Sequence, residues 1–281
     1  MSTIPESVTE EQFQAYILPN LSVAARGYVS KTPLWGIFNL VLYRLHTGCQ
    51  WKRLPVSSDA LEREARGEPS WQAVYHHWQK WSADGSLSRV WQSSVLSLAT
   101  ELDLSHINLD GSHIIAKKGG QSVAYQPRKK AKTCNILPMT DANGYVIAST
   151  GIMLGEHHDS FNLKSHLQDA FKTMKAWGLS IVGTFFNADA AFDTKAARKV
   201  CFNHKLIPNI PVNTRNRKTA KRGRKRLFNP LVYKRRFISE RTFAWIDKFR
   251  SVLVRFDRKD VNFLAAHHLV FALINLRHRL A

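Results

Sequence analysis

Three carboxylates stand out against a cationic background in the second part of this chain. Asp110 closes a short apolar run (Ile107 to Leu109), Asp189 follows another (Ile181 to Phe186), and Glu240 lies in a helical stretch. Groups at strand ends along one edge of an α/β sheet often hold ligands and metals. If the three converge, they offer oxygen donors to a hard cation such as Mg²⁺, which keeps several of its waters. Tyr233, Arg236 and Glu240 follow i, i+3, i+7 spacing, which on a continuous helix puts them on one face. That face has two readings. One is an ordinary ion pair on a solvated helix, a small effect. The other is a metal ligand beside a guanidinium and a phenol that hold phosphate. Spacing alone favours the first. Asp193 competes with Asp189 for the second acidic position.

The background explains why these acids matter. The 281 residues carry 41 Lys or Arg against 21 Asp or Glu, a net charge of +20. Residues 1–105 are close to neutral, so the whole excess lies in residues 106–281. Residues 194–239 hold 15 basic side chains and no acid. The densest part is RNRKTAKRGRKR, with Arg215, Arg217, Lys218, Lys221, Arg222, Arg224, Lys225 and Arg226. A second cluster comprises Lys117, Lys118, Arg128, Lys129, Lys130 and Lys132. A charge run can be a solvated tail, but this one is followed at once by renewed hydrophobic periodicity. A polyanion is the better partner, bound through phosphate neutralisation and counterion release. A membrane surface fits less well, because the runs lack interleaved bulky apolar residues.

Composition excludes several classes. At 44% hydrophobic and 22% charged residues the chain reads as folded rather than disordered. The longest apolar stretch, Leu34 to Tyr43, is too short to span a bilayer. The N-terminus shows neither a basic nor an apolar leader region. Cys49, Cys134 and Cys201 have no zinc spacing and no disulfide framework, which suits a reducing cytoplasm.

The positioning elements change type near residue 106. Residues 10–105 read as helices: an apolar stripe from Leu34 to Leu45 stopping at Gly48, a polar loop over 57–70, an aromatic stripe through Trp71, Val74, Tyr75, Trp78 and Trp81, and a third helix from Leu87 to Leu102. The stripe reads as core, with His76, His77, Gln79 and Lys80 on the opposite face. Beyond 106, strands are expected over Ile107–Leu109, Thr133–Met139 and Tyr145–Leu154, the last two joined by an Asp-Ala-Asn-Gly turn. A helix over Phe161–Trp177, a strand over Ile181–Phe186, a helix over Thr194–His204 and a short strand over Leu206–Val212 follow. One long helix from about Leu231 to Arg255 and a last one over Val261–Leu280 end the chain. Two domains result: residues 1–105, helical, and residues 106–281, mixed α/β, with a basic loop over 214–229.

These motifs together resemble a known family. YKRRFISERTFAWIDKFR (Tyr233 to Arg250) is similar to the Tyr-x2-Arg-x3-Glu signature of bacterial insertion-sequence DDE transposases, above all the insertion-sequence-five family. TGCQWKRLP (Thr47 to Pro55), WQAVYHHWQKWSADG (Trp71 to Gly85), INLDGSH (Ile107 to His113), GEHHDS (Gly155 to Ser160) and NADAAFDT (Asn187 to Thr194) resemble its other motifs in order. In the last, Ala190-Ala191 and Phe192 depart from the usual Lys-Gly and Tyr. The resemblance implies a ribonuclease-H-like mixed sheet flanked by helices, preceded by a helical domain for DNA-end binding or assembly. It implies Asp110, Asp189 and Glu240 as catalytic and metal-binding triad for two Mg²⁺ ions, with Mn²⁺ able to substitute. It also implies Tyr233, Arg236 and Lys248 on phosphates near the scissile bond, the 215–226 run with Lys129 and Lys130 on DNA backbone, and His157, His158 and Asp159 as structural or DNA-facing. The implied activity is metal-dependent cleavage at element ends and transfer of the 3′-hydroxyl to target DNA. The partners would be double-stranded DNA at terminal inverted repeats and target, in a homodimer or larger assembly, on the bacterial nucleoid and not at a membrane. The alternatives are a non-catalytic DNA-binding relic acting as a repressor, and a nuclease of the same fold that cleaves without joining.

Overall fold

The computed structural model describes residues 4–23, 32–213 and 227–280. In chain order these form α1 (Glu10–Gln12), α2 (Leu34–Thr47), α3 (Ala60–Arg66), α4 (Trp71–Ala83), α5 (Ser86–Ser97), β1 (His106–Leu109), β2 (Ser112–Ala116), β3 (Ala124–Gln126), β4 (Ala131–Ile136), β5 (Pro138–Thr140), β6 (Val146–Ser149) and β7 (Met153–Leu154). They continue with α6 (Leu163–Ala176), β8 (Phe185–Asn187), α7 (Lys195–Asn203), β9 (Ile207–Asn209), α8 (Pro230–Lys234), α9 (Phe237–Ile246), α10 (Arg250–Leu253), β10 (Val254–Arg255) and α11 (Asp260–Asn275). Packing divides the chain into two units. One holds Met1–Ser97, Ala116–Gln121 and Trp245–Ala281, the other Leu98–Ile115 and Ser122–Ala244.

The first unit is built from helices. α2 buries Ile37, Phe38, Val41, Leu42 and Leu45 along one stripe, and Gly48 ends it in the left-handed conformation at φ 66°. The aromatic stripe of α4 is core, as its spacing predicts, with Val74, Trp78 and Trp81 fully buried. α11 is apolar almost all round, and Phe263, Ala266, Leu269, Val270, Phe271, Leu273 and Ile274 are completely buried. A helix without a polar face belongs inside a core, and α11 packs against α5 and α4, with Asn275 donating to Ser94 at 3.1 Å. Residues 245–281 therefore group with the N-terminal helices, and the sequence boundary at 105 does not separate the two packing units. An all-round apolar helix announces that it will be buried, not against which neighbour. The polar stretch 57–70 also differs from expectation. It contains α3, whose first amides are accepted by Asp59 (2.7 Å from Leu61, 3.0 Å from Glu62) and which ends at Gly67, φ 64°. Cap and stop are visible in the sequence, but no apolar stripe lies between them to signal a helix.

The second unit is mixed α/β. Its larger sheet has the order β6-β5-β1-β8-β9. β1, β8 and β9 run parallel, and β5 and β6 antiparallel. Ile107, Leu109, Met139, Val146, Ile147 and Phe186 fill its interior. From α6, Phe171 meets Phe186 edge-to-face at 5.5 Å. The Asp-Ala-Asn-Gly turn joins β5 to β6: the Asp141 carboxylate accepts the amides of Asn143 and Tyr145 at 2.9 and 2.8 Å. The run Thr133–Met139 divides at Leu137. β4 pairs with β2, β3 and β7 in a second sheet, while β5 pairs with β1 and β6. β2 and β3, one broken by Ser112 and His113 and the other only three residues long, are defined by this pairing.

The long helix expected from Leu231 to Arg255 is interrupted. Arg236 donates its amide to Tyr233 at 2.9 Å, and Ser239 to Arg236 at 2.9 Å, closing i→i+3 turns instead of a continuous helix. The cause is tertiary. α8 is anchored at Asn229, whose amide meets Asn209 at 2.7 Å. α9 is anchored through Thr242, which donates to the Gly144 carbonyl at 3.1 Å. Two anchors set two axes, and Arg235–Arg236 form the turn between them. Tyr233, Arg236 and Glu240 thus sit on α8, the turn and α9, not on one helical face. Among the described residues no helix is long and apolar enough to cross a membrane.

Candidate active site

Asp110 is the first residue beyond β1, and Asp189 lies two residues beyond β8. Because β1 and β8 are parallel neighbours with Asn108 opposite Asn187, both aspartates leave the sheet at the same end. Asp110 Oδ1 accepts the Gly111 amide at 3.0 Å, and Oδ2 accepts from Arg236 Nη2 at 2.7 Å. Burial pushes the Asp110 carboxyl above its ordinary range. The Arg236 guanidinium opposes this, and the charge of Asp189 adds to it. Asp189 Oδ1 caps the short turn Ala190–Phe192 by accepting the Ala191 amide at 2.7 Å.

Tyr233 completes the group. Burial raises its phenol first; Asp189 and Asp110 raise it further, and Arg236 opposes them. The phenol therefore stays protonated near neutrality, a hydrogen-bond donor rather than a nucleophile. Arg236 Nε is buried without a hydrogen-bond partner. A donor left open beside two carboxylates is suited to an anionic oxygen brought by a ligand.

The third acidic candidate stands differently. Glu240 is exposed in the first turn of α9, and among the described residues no set of three or more His, Cys, Asp or Glu side chains is placed to hold a metal ion. Asp110 and Asp189 have the right donor chemistry for a hard divalent cation, but Arg236 occupies Asp110 Oδ2. The structure brings Asp110 and Asp189 together with Arg236 and Tyr233, and Glu240 stands on the exposed start of α9. Asp193 is removed as a rival to Asp189. It is buried, accepts from Arg198 Nε at 2.8 Å and from the Asn213 amide at 3.0 Å, and is committed to the fold.

The GEHHDS element abuts the turn after Asp110. Asp159 Oδ1 accepts from Asn135 at 2.6 Å and lies 3.2 Å from His113 Nε2. A Cβ on Gly111 would stand 2.8 Å from the Asp159 carboxylate, so a larger residue there would have to displace it. Burial tends to raise the Asp159 carboxyl, but bonds from His113 and Asn135 leave it below its ordinary value. His157 stacks on Phe161, with ring centroids 3.5 Å apart. His113 and Asn135 carried no signal of their own in the sequence. Lys129 and Lys130 are exposed at the β3–β4 turn, and Lys248 is exposed beyond α9. Arg215, Arg217, Lys218, Lys221, Arg222, Arg224, Lys225 and Arg226 lie outside the described residues.

Residues 102–275, more than half of the chain, match the model of the DDE superfamily endonucleases. No curated protein sequence matches. Two solved structures are similar at 12% identity and a TM-score of 0.29. "Mos1 transposase paired-end complex with left transposon end" covers 92% of this chain and 82% of its own. "Crystal structure of the Mos1 mariner paired end complex with Mn" covers 96% and 86%. Superposition at that level carries no argument about this chain. The family match does, and with an aspartate at the same end of each of two parallel strands it leads to one conclusion: the chain belongs to the DDE superfamily endonucleases.

Proposed function

We propose that this protein is a DNA transposase, cleaving phosphodiester bonds at element ends and passing the freed 3′-hydroxyl to target DNA. The observation that carries the reading is the grouping of Asp110 and Asp189 with Arg236 and Tyr233 at one end of β1 and β8, in a chain of the DDE endonuclease family. Arg236, with one donor on Asp110 and Nε open, grips a phosphate oxygen. Tyr233, held protonated, donates to a second. Asp110 and Asp189, at one end of β1 and β8, accept from the attacking hydroxyl and orient it. Asp110 and Asp189 would hold a divalent cation, Mg²⁺ or Mn²⁺, and Glu240 would join them once α9 adjusts. That cation supplies charge stabilisation for the phosphate's transition state. A ribonuclease-H-like core, a helical N-terminal region that recognises DNA ends, backbone tracking by the 215–226 run with Lys129 and Lys130, and a dimer or larger assembly on DNA complete the proposal.

A second reading, a DNA-binding relic without turnover, is favoured by one observation, the absence of a three-acid set among the described residues. One assay decides. A labelled duplex carrying the inverted repeat that flanks the coding region is incubated with plasmid target and Mg²⁺. Joined product supports the transposase, cleavage without joining identifies a nuclease, and retention of DNA with neither identifies the relic. Cleavage by D110N as fast as by the unaltered protein would remove the proposed chemistry.

A further inference from the structure

A row of buried asparagines crosses the larger sheet beneath the acidic pair. Asn108, Asn187 and Asn209 occupy matched positions on β1, β8 and β9, and all three are inaccessible to solvent. Asn187 donates to Asn108 Oδ1 at 2.9 Å, and Asn209 donates to Asn187 Oδ1 at 2.8 Å. At one end the Asn108 amide donates to the Asp141 carbonyl at 3.4 Å. At the other, Asn209 grips the backbone of Asn229 twice, donating to its carbonyl at 3.0 Å and accepting its amide at 2.7 Å. Asn229 is the N-cap of α8, accepting the amides of Leu231 and Val232 on its own side chain. Asn187 also donates to the Val232 carbonyl at 3.3 Å.

The placement is what gives this row meaning. Asn108 and Asn187 each stand two residues before an aspartate of the site, and Asn229 stands one helical turn before Tyr233. All three positions are buried, where apolar side chains are the usual occupants. Amides there exchange a non-directional contact for bonds with defined angles, and a fully partnered polar network in a core specifies one geometry. All three side chains donate in the same sense, from β9 toward β1, so each bond polarises the next.

We propose that Asn108, Asn187 and Asn209 are positioning residues for the phosphodiester chemistry: they lock the ends of β1 and β8 to the start of α8 and so hold Tyr233 and Arg236 over Asp110 and Asp189. The inference rests on the transposase reading for its activity arm only. Asn209 is the residue to alter, because β9 carries none of the four grouped side chains. N209A should lower kcat for end cleavage by about tenfold or more at unchanged KM for DNA, since small misplacements of reacting groups are costly in rate. Hydrogen exchange at the amides of residues 231–236 should accelerate by a similar factor. N275A, which breaks a buried amide bond in the other unit, is the control for a merely structural loss and should change neither quantity. If N209A does not fold, N209S keeps one hydroxyl and should show the same two effects in smaller measure. Exchange over 231–236 no faster than in N275A overturns the inference, whatever the cleavage rate. Accelerated exchange with unchanged kcat overturns the positioning role. Absence of cleavage by the unaltered protein refutes the transposase reading instead, and the exchange measurement then still decides whether the row holds α8.

Discussion

Arg236 donates from Nη2 to Asp110 Oδ2 across 2.7 Å, so a guanidinium on the turn between α8 and α9 already balances one member of the acidic pair. Asp110 is largely buried, and the charge of Asp189 adds to the cost of ionising it. Arg236 is the group that keeps Asp110 ionisable. R236A should therefore push the Asp110 carboxyl further up and move the acid limb of the cleavage pH profile to higher pH. Loss of a preorganised donor should also slow cleavage by roughly 10²-fold. R236K should restore the limb in part, because a point charge replaces the charge but not the fork. An acid limb unmoved in R236A would show that Asp110 does not titrate in the reaction.

Asp189 and Asp193 are four residues apart and have opposite predicted phenotypes. D193N leaves Arg198 buried with no counter-charge, which should cost about 3–5 kcal/mol of stability. D189N retains an oxygen for the Ala191 amide, and asparagine is as good a cap as aspartate, so urea unfolding should shift by less than about 1 kcal/mol while cleavage is lost. Equal destabilisation by the two substitutions would contradict the assignment.

The β5–β6 turn carries a pH dependence. Burial raises the Asp141 carboxyl to about 6, against the pull of amides from Asp103, Tyr145 and Asn143. A carboxyl raised in the fold binds its proton more tightly there than in the unfolded chain. Its contribution is full below the unfolded value of 3.8 and is lost as pH rises through about 6. The loss is roughly 3 kcal/mol by linkage. Unfolding free energies from pH 3.5 to 7 should show D141N gaining on the unaltered protein by up to that amount as pH rises. A pH-independent difference would count against the shift.

His267 carries the opposite dependence. Burial lowers its imidazole to about 4; its bond to the Phe263 carbonyl opposes this, and the charge of Arg255 adds to the lowering. A histidine held neutral in the fold contributes stability above its unfolded value of 6.5, lost as pH falls toward about 4. Phe263 and Phe271 flank the ring, so a phenyl group there would meet aromatic neighbours. H267F should remove roughly 3 kcal/mol of acid destabilisation, seen as a higher Tm at pH 4.5 relative to pH 7.5 than the unaltered protein shows.

Elements with strong local signals were legible and appear near their expected positions. Leu34–Leu45 has helical apolar spacing and a glycine stop, Trp71–Trp81 an aromatic stripe, and Asp141–Gly144 the chemistry of its own turn. Asp110 and Asp189 could be located as strand-end carboxylates in a basic field, because a strand ends where its apolar run does. β2 and β3 were not legible: a strand this short, without a sustained apolar alternation, is defined by its partner. Nor was the break at Arg235–Arg236, where no glycine or proline marks it.

Composition, charge distribution and local periodicity by themselves determined a mixed α/β chain with a cationic second part and two aspartates at strand ends, since these follow from residue type and near-neighbour spacing. Only the tertiary structure decided that Arg236 meets Asp110, that Asp193 serves the fold, and that a row of asparagines joins β9 to β1. Those relations depend on hydrogen bonds between residues from 5 to 126 positions apart, and no local pattern encodes which distant donor will reach which acceptor.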